Sequence, residues 1–158
     1  MKRSVYIETT VVSYLTAWPS RDLVRAAQQQ ITREWWELRG RYDLFVSELV
    51  LSEAAAGDSA AVAARLAVVE DLPVLRISPE ADALAEALVS ELAIPPSALR
   101  DAVHVAVSAA NGMQYLLTWN CRHLANLHQR SRIEQVCRDA GYVPPQIGTP
   151  NELLEDVP

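Results

Sequence analysis

The sequence predicts an α/β domain with three layers, in which a central, mostly parallel sheet lies between two layers of helices. Short apolar strand segments alternate with helical segments along the chain, and such alternation is typical of a parallel sheet covered on both faces. The 158 residues are 50% hydrophobic and 22% charged, which is a globular composition. We expect residues 1–158 to form one domain, with a core at about residues 4–142 and a tail that carries a short helix at 150–155.

The first part of the chain predicts a strand followed by two helices. Ser4–Ile7 is rich in β-forming residues and is expected to be buried, and Thr10–Thr16 is a short helix. Ser20 is the expected N-cap of a longer helix over Arg21–Arg39, and Gly40 is the expected residue that ends it.

The middle of the chain predicts two strands and three capped helices. The strands are Tyr42–Val46 and Pro73–Ile77. Ser47, Asp58 and Ser78 each precede a helical segment, and each can accept a hydrogen bond from the first turn. These helices are expected to end near residues 56, 71 and 92.

The last part of the chain predicts two more strands. Ser97 is the expected N-cap of a helix that ends at Gly112, and Gln114–Thr118 is the strand after it. Ile133–Ala140 is helical. Tyr142–Ile147 is expected at an edge of the sheet, because it contains two prolines that a central strand would not accommodate.

Four polar side chains lie where predicted strands and helices meet. Glu8 and Asn120 follow strands, Glu53 lies one to two turns into a helix, and Asp101 lies in the first turn of another. Right-handed crossovers bring such positions to one edge of the sheet. Carboxylates gathered there repel one another, and a bound Mg²⁺ or Mn²⁺ removes that conflict. Because such ions activate water against phosphodiesters, the pattern indicates a divalent-metal site that hydrolyses them.

Each of these residues also has an ordinary structural interpretation. Asp101 would favour the positive end of its helix dipole, Glu8 would be an acid near a helix start, Glu53 would be solvated, and Asn120 would form a turn. His104 lies three residues after Asp101 and could orient a carboxylate or be a satisfied, semi-buried histidine. The joint placement of the four polar residues favours the site.

Composition excludes several classes of protein. A formal net charge of −6 argues against tight binding of nucleic acid by charge alone. Cys121 and Cys137 have no zinc-binding spacing, and with no signal segment at the N-terminus they suggest reduced thiols in the cytoplasm. Neither a phosphate-binding glycine loop nor a nucleophile elbow is present. A local basic cluster is either solvated surface or an RNA contact: Arg122, His123, His128, Arg130 and Arg132.

Four short stretches carry a family resemblance: Val5–Tyr14, Val46–Asp58, Asp101–Val107 and Leu116–Asn120. In order and spacing they resemble the PIN-domain family, and within it the VapC-like toxins of bacterial toxin–antitoxin pairs, over most of the chain. The resemblance implies parallel strands between helices and an endoribonuclease that depends on Mg²⁺ or Mn²⁺. It also implies a homodimer and a cognate antitoxin that covers the site. No apolar run reaches the length of a membrane span, so we expect no association with a membrane.

The resemblance assigns residues to the site. The family's first acid falls on Glu8, its helix glutamate on Glu53 and its third acid on Asp101, and these three are the expected metal ligands. The family's fourth acidic position falls on Asn120, which we expect to orient a water or complete the ligand shell. Thr9 falls where the family often has a hydroxyl. The first acid is usually aspartate, so Glu8 is longer by one methylene, and the missing charge at Asn120 favours a single ion.

Two other functions stay open at this point. A non-catalytic PIN-like scaffold that binds RNA or protein is favoured by the two departures, Glu8 and Asn120. A phosphotransferase would use the acid after the first strand as its nucleophile. Glu8 has the wrong length for the common aspartyl chemistry, and Thr10 stands where that chemistry has a second aspartate.

Overall fold

A five-stranded parallel sheet runs through the computed structural model, which describes residues 1–154. The strands are β1 (Arg3–Ile7), β2 (Tyr42–Ser47), β3 (Val74–Leu75), β4 (Tyr115–Leu117) and β5 (Gln146–Gly148). Their order is β3-β2-β1-β4-β5, and each neighbouring pair is parallel. The predicted α/β class and the parallel sheet are confirmed.

Helices connect these strands and flank the sheet. Within residues 1–154 they are α1 (Thr9–Thr16), α2 (Leu23–Glu37), α3 (Glu48–Ala54), α4 (Ser59–Val69), α5 (Pro79–Ser90), α6 (Leu99–Ala110), α7 (Leu127–Asp139) and α8 (Pro150–Leu154). None of the helices in this part of the chain is long and apolar enough to cross a membrane. The predicted terminal helix at 150–155 is observed as α8, and residue 155 lies outside the described residues.

The strand order reverses at β1. The chain builds outward from β1 through β2 to β3, and then returns to place β4 on the other side of β1. Val5, Tyr6 and Ile7 are buried, as expected for a central strand covered by helices on both faces. Ligands of open parallel sheets bind beyond the carboxyl ends of the strands at such a reversal. The fold therefore places the ends of β1 and β4 where a site is expected.

Three of the predicted helix caps are confirmed. The side chains of Ser47, Asp58 and Ser78 accept hydrogen bonds from backbone N–H groups in the first turns of α3, α4 and α5. At the other end of α3, Gly57 has a φ of 101°, a backbone conformation that L side chains rarely adopt. Local chemistry alone fixes these boundaries, because each cap bonds to N–H groups that the helix itself cannot satisfy.

The boundaries predicted for α2 were wrong at both ends. Asp22, and not Ser20, caps the helix, since its carboxylate accepts from the N–H of Arg25 at 2.8 Å. The hydroxyl of Ser20 instead accepts from the N–H of Asp22 at 3.1 Å, which forms the turn that leads into the helix. Gly40 does not end the helix in a left-handed conformation, because it lies in a short 3-10 turn, Arg39–Arg41, that leads directly into β2.

Three predictions in the last part of the chain also need correction. Ser97 is not a cap, because it lies inside a 3-10 turn that leads directly into α6, where the cap position is Ala98. The helix predicted from Ile133 begins six residues earlier, at Leu127, because the side chain of Asn126 caps it there. The last edge strand, β5, begins at Gln146, after the two prolines.

Candidate functional site

Hydrogen bonds join the chain segments that leave β1 and β4. The N–H of Glu8 donates to the carbonyl of Leu117 at 3.0 Å, and the N–H of Trp119 donates to the hydroxyl of Thr10 at 2.9 Å. The start of α1 is thereby fixed to the loop that follows β4. The side chain of Glu8 enters the site from one segment and that of Asn120 from the other.

Glu8 is a buried carboxylate, with 3% of its surface exposed. Its Oε2 accepts from the N–H of Thr10 at 2.6 Å, and this bond makes Glu8 the N-cap of α1. Burial raises the pKa of Glu8, and the nearby Glu53 raises it further, while His104 and Thr10 oppose the rise. The charged form of Glu8 is therefore costly, and a cation placed beside it would lower that cost.

Glu53, on α3, is held by two donors. Its Oε1 accepts from the hydroxyl of Thr9 at 2.7 Å and from Nε2 of His104 at 2.6 Å. Burial acts to raise the pKa of Glu53, but the hydrogen bonds and attraction of His104 and Thr9, with the charge of Arg100, lower it overall. Glu53 is therefore favoured in its ionised form, in contrast to Glu8.

A chain of buried hydrogen bonds stands behind Glu53. Because an ionised carboxylate only accepts, Nε2 of His104 carries a proton and donates to Glu53, and Nδ1 of the same ring is hydrogen-bonded to the hydroxyl of Tyr6 at 2.6 Å. The hydroxyl of Tyr6 is also hydrogen-bonded to the hydroxyl of Ser47 at 2.8 Å, and Ser47 accepts from the N–H of Val50 at 3.3 Å. Burial raises the pKa of Tyr6 far above its ordinary value, so its hydroxyl keeps its proton. The chain ties β1, α3 and α6 to one carboxylate.

Asp101 and Asn120 meet a third side chain, His123. Oδ2 of Asp101 lies 3.0 Å from Nδ1 of His123. Oδ1 of Asn120 accepts from the backbone N–H of His123 at 3.0 Å. Asp101 itself lies one turn before His104 on α6, so this helix carries one group of each cluster.

The predicted site residues therefore form two linked clusters. Glu8 and Glu53 influence each other electrostatically around His104, whereas Asp101 and Asn120 are linked through His123. Within residues 1–154, no three His, Cys, Asp or Glu side chains are grouped closely enough to form a metal site by themselves. The donor chemistry nevertheless suits an oxygen-preferring cation, since no hydrogen bond from the described residues reaches Oε2 of Glu53 or Oδ1 of Asp101.

Sequence reasoning missed part of this site. Tyr6 and Ser47 were assigned only to a strand and a cap, and His123 only to a basic cluster. A tyrosine in the middle of an apolar strand was a usable signal, because a buried phenol needs a partner for its hydroxyl. His104 does orient a carboxylate, as one of the two alternatives proposed, but that carboxylate is Glu53 on another helix.

Comparison with known families decides the identity of the fold. The PIN domain family model matches residues 5–124. The chain belongs to the PIN domain family. The resemblance drawn from the sequence motifs is confirmed, and Glu8, Glu53, Asp101 and Asn120 all lie within the matched range.

Solved PIN-like structures share the fold at low sequence identity. One is a chain of VapBC2 from Rickettsia felis bound to a DNA fragment from its promoter, with 14% identity, a TM-score of 0.59, and coverage of 92% of this chain and 98% of that one. Another is VapC20 of Mycobacterium tuberculosis, a toxin that cleaves the sarcin–ricin loop, with 20% identity, a TM-score of 0.50, and coverage of 71% and 86%. Comparison with curated proteins gave no match.

Proposed function

We propose that this PIN-domain protein is an endoribonuclease that depends on Mg²⁺ or Mn²⁺ and acts as the toxin of a toxin–antitoxin pair. The proposal is supported by the position of Glu8 after β1, at the reversal of strand order, and by the hydrogen bond that ties Glu53 to His104 on α6, one turn after Asp101. The similarity to VapBC2 and to VapC20, which is described as a toxin that cleaves the sarcin–ricin loop, supports the same proposal.

In this proposal Glu8, Glu53 and Asp101 hold the cation, directly or through water. Such an ion lowers the pKa of a bound water and neutralises charge on the phosphate. The protein holds the carboxylates in place: Thr10 holds Glu8, and Thr9 and His104 hold Oε1 of Glu53, which leaves Oε2 of Glu53 available. Asn120 belongs to the site through the loop after β4.

The surface supports a protein partner. Trp18, Leu23 and Val24, close together in the sequence, are 92%, 86% and 67% exposed. Covering these side chains with another protein would be favourable, because it removes apolar surface from water. We propose that the partners are RNA, a cognate antitoxin and a second copy of the chain, and that the protein acts in the cytoplasm.

The direct test is cleavage of a structured RNA in Mn²⁺. Asp101→Asn should abolish cleavage, and EDTA should do the same to the wild type. Asp82→Asn is the matched control, because Asp82 also lies in the first turn of a helix but is exposed and outside the site. It should cleave as the wild type does. Equal cleavage by Asp101→Asn would indicate a contaminating nuclease and refute the proposal.

The second candidate is a PIN-like scaffold that binds RNA or protein without cutting. It is favoured by the absence of a three-residue metal cluster in residues 1–154 and by the engagement of Glu53 with His104. Retention of RNA by the wild type without cleavage, in Mg²⁺ and in Mn²⁺, would support it. Measured binding of Mn²⁺ that Asp101→Asn removes would refute it.

A further inference from the structure

We propose that His123 is a positioning residue for Asp101, and that Asn120 acts by holding His123 in place. The inference rests on the proposed function, because it concerns how one carboxylate of that site is oriented. It gives Asn120 a role that needs no negative charge, at the position where the family has a fourth acid.

The contact between His123 and Asp101 joins two distant parts of the chain. Asp101 lies on α6 and His123 in the loop after β4, 22 positions later, and Nδ1 lies 3.0 Å from Oδ2. Both side chains are partly buried, with exposed fractions of 24% and 18%. Because an ionised carboxylate only accepts, Nδ1 of His123 carries the proton of this hydrogen bond.

The loop is built to hold His123 at that place. The hydroxyl of Thr118 accepts from the N–H of Asn120 at 2.9 Å, and Oδ1 of Asn120 accepts from the N–H of His123 at 3.0 Å. On the far side, Nδ2 of Asn126 donates to the carbonyls of Cys121 and Arg122, at 2.9 Å each. The backbone around His123 is therefore fixed on both sides by side chains of the same loop.

Because His123 holds one carboxylate oxygen of Asp101, the direction in which the other oxygen points is fixed as well. Oδ2 is engaged by His123, while Oδ1 has no hydrogen-bond partner in the described residues and is available to a cation. Glu53 shows the same arrangement, with His104 on Oε1 and Oε2 without a partner. Hydrogen bonds to ligating carboxylates fix their orientation, and losing such a partner typically costs about 10–100-fold in metal affinity.

Two substitutions of His123 separate a hydrogen bond from mere packing. His123→Asn keeps an N–H donor close to the position of Nδ1, whereas His123→Leu keeps much of the volume without a donor. We expect His123→Leu to weaken Mn²⁺ binding, measured by calorimetry, about 10–100-fold. His123→Asn should bind close to the wild type. His128→Leu is the control, because His128 is an exposed histidine of the same segment, and it should bind as the wild type does.

Substitutions of Asn120 test its part in the same arrangement. Asn120→Asp keeps an oxygen that accepts from the N–H of His123, so it should retain Mn²⁺ affinity, whereas Asn120→Ala should lose affinity as His123→Leu does. The double variant Asn120→Ala/His123→Leu should be no weaker than His123→Leu alone, because residues that act as a unit are not additive. Additive losses would refute the role of Asn120.

A readout without metal or RNA separates failure of this inference from failure of the proposed function. Long-range ¹H–¹⁵N spectra at alkaline pH should show His123 protonated at Nδ1 in the wild type and shifted toward the Nε2 form in Asp101→Ala. An Nε2-protonated His123 in the wild type would overturn the inference, as would wild-type Mn²⁺ affinity in His123→Leu. If the wild type neither binds Mn²⁺ nor cuts RNA, the proposed function fails, and the spectra still decide the inference.

Discussion

Tyr6→Phe is the most informative single substitution for the buried chain of hydrogen bonds behind Glu53. It removes one hydroxyl and keeps the aromatic ring, so the core around β1 loses no packing volume. The hydroxyl of Tyr6 is hydrogen-bonded to the hydroxyl of Ser47 at 2.8 Å and to Nδ1 of His104 at 2.6 Å. Both partners are buried, with exposed fractions of 0% and 1%, so water cannot take the place of the lost oxygen.

The size of the effect follows from those two groups. Removing the Tyr6 hydroxyl leaves Ser47 and His104 each with one hydrogen bond fewer, while Ser47 keeps its bond to Val50 and His104 its bond to Glu53. An unsatisfied buried donor or acceptor costs about 1–3 kcal/mol, so two of them with partial rearrangement cost about 2–4 kcal/mol. In a protein of this length, 1 kcal/mol shifts the melting temperature by about 2–4 °C. We therefore expect Tyr6→Phe to lower the melting temperature by about 5–15 °C.

Thermal unfolding followed by circular dichroism, in EDTA at neutral pH, measures this shift. The matched control is Tyr115→Phe, whose lost hydroxyl accepts from Arg3 at 2.8 Å at the surface, where water replaces it. That control should move the melting temperature only slightly. If Tyr6→Phe melts as Tyr115→Phe does, the hydroxyl does not stabilise the fold and the reasoning on the buried chain is refuted.

Three further predictions concern other positions. Burial raises the pKa of Glu8, so the folded protein binds this proton more tightly than the unfolded chain does and loses stability as pH rises. In EDTA at neutral pH, Glu8→Gln should therefore have a higher melting temperature than the wild type, and the two melting temperatures should become equal in acid. A difference in melting temperature that stays constant across pH would contradict this. Gly57→Ala should lower the free energy of unfolding, measured by chemical denaturation, by about 1–2 kcal/mol, because Gly57 has a φ of +101°. Gly40→Ala should leave it unchanged, because a Cβ at Gly40 would have no atom within 4 Å. Burial raises the pKa of Cys137 to about 11, so a thiol reagent should label the exposed Cys121 first, and equal rates would contradict the buried position.

The sequence was sufficient for the class of the fold, because its signals are local. Serine or aspartate before a helical segment marks a cap wherever it satisfies free N–H groups, as Ser47, Asp58 and Ser78 do. The same reasoning failed at Ser20 and Ser97, because a better acceptor two residues later, or a 3-10 turn, decided the boundary. Local spacing cannot rank such competing turns.

The candidate site was predictable in outline and not in its contacts. That Glu8 and Asn120 follow strands whose ends meet at one edge of the sheet was predictable from crossover handedness, whereas the pairing of those two strands is seen only in the structure. The pairing of Glu53 with His104 joins positions 51 apart, and that of Asp101 with His123 joins positions 22 apart. Such pairs depend on how the helices pack across the sheet, so no residue spacing within one segment predicts them.

A crystal of the protein soaked in Mn²⁺ would show where the ion binds, because the anomalous signal locates it without reference to activity. We predict a peak bound by oxygens of Glu8, Glu53 and Asp101, directly or through water. A peak bound elsewhere, or none at a concentration that saturates binding in solution, would contradict it.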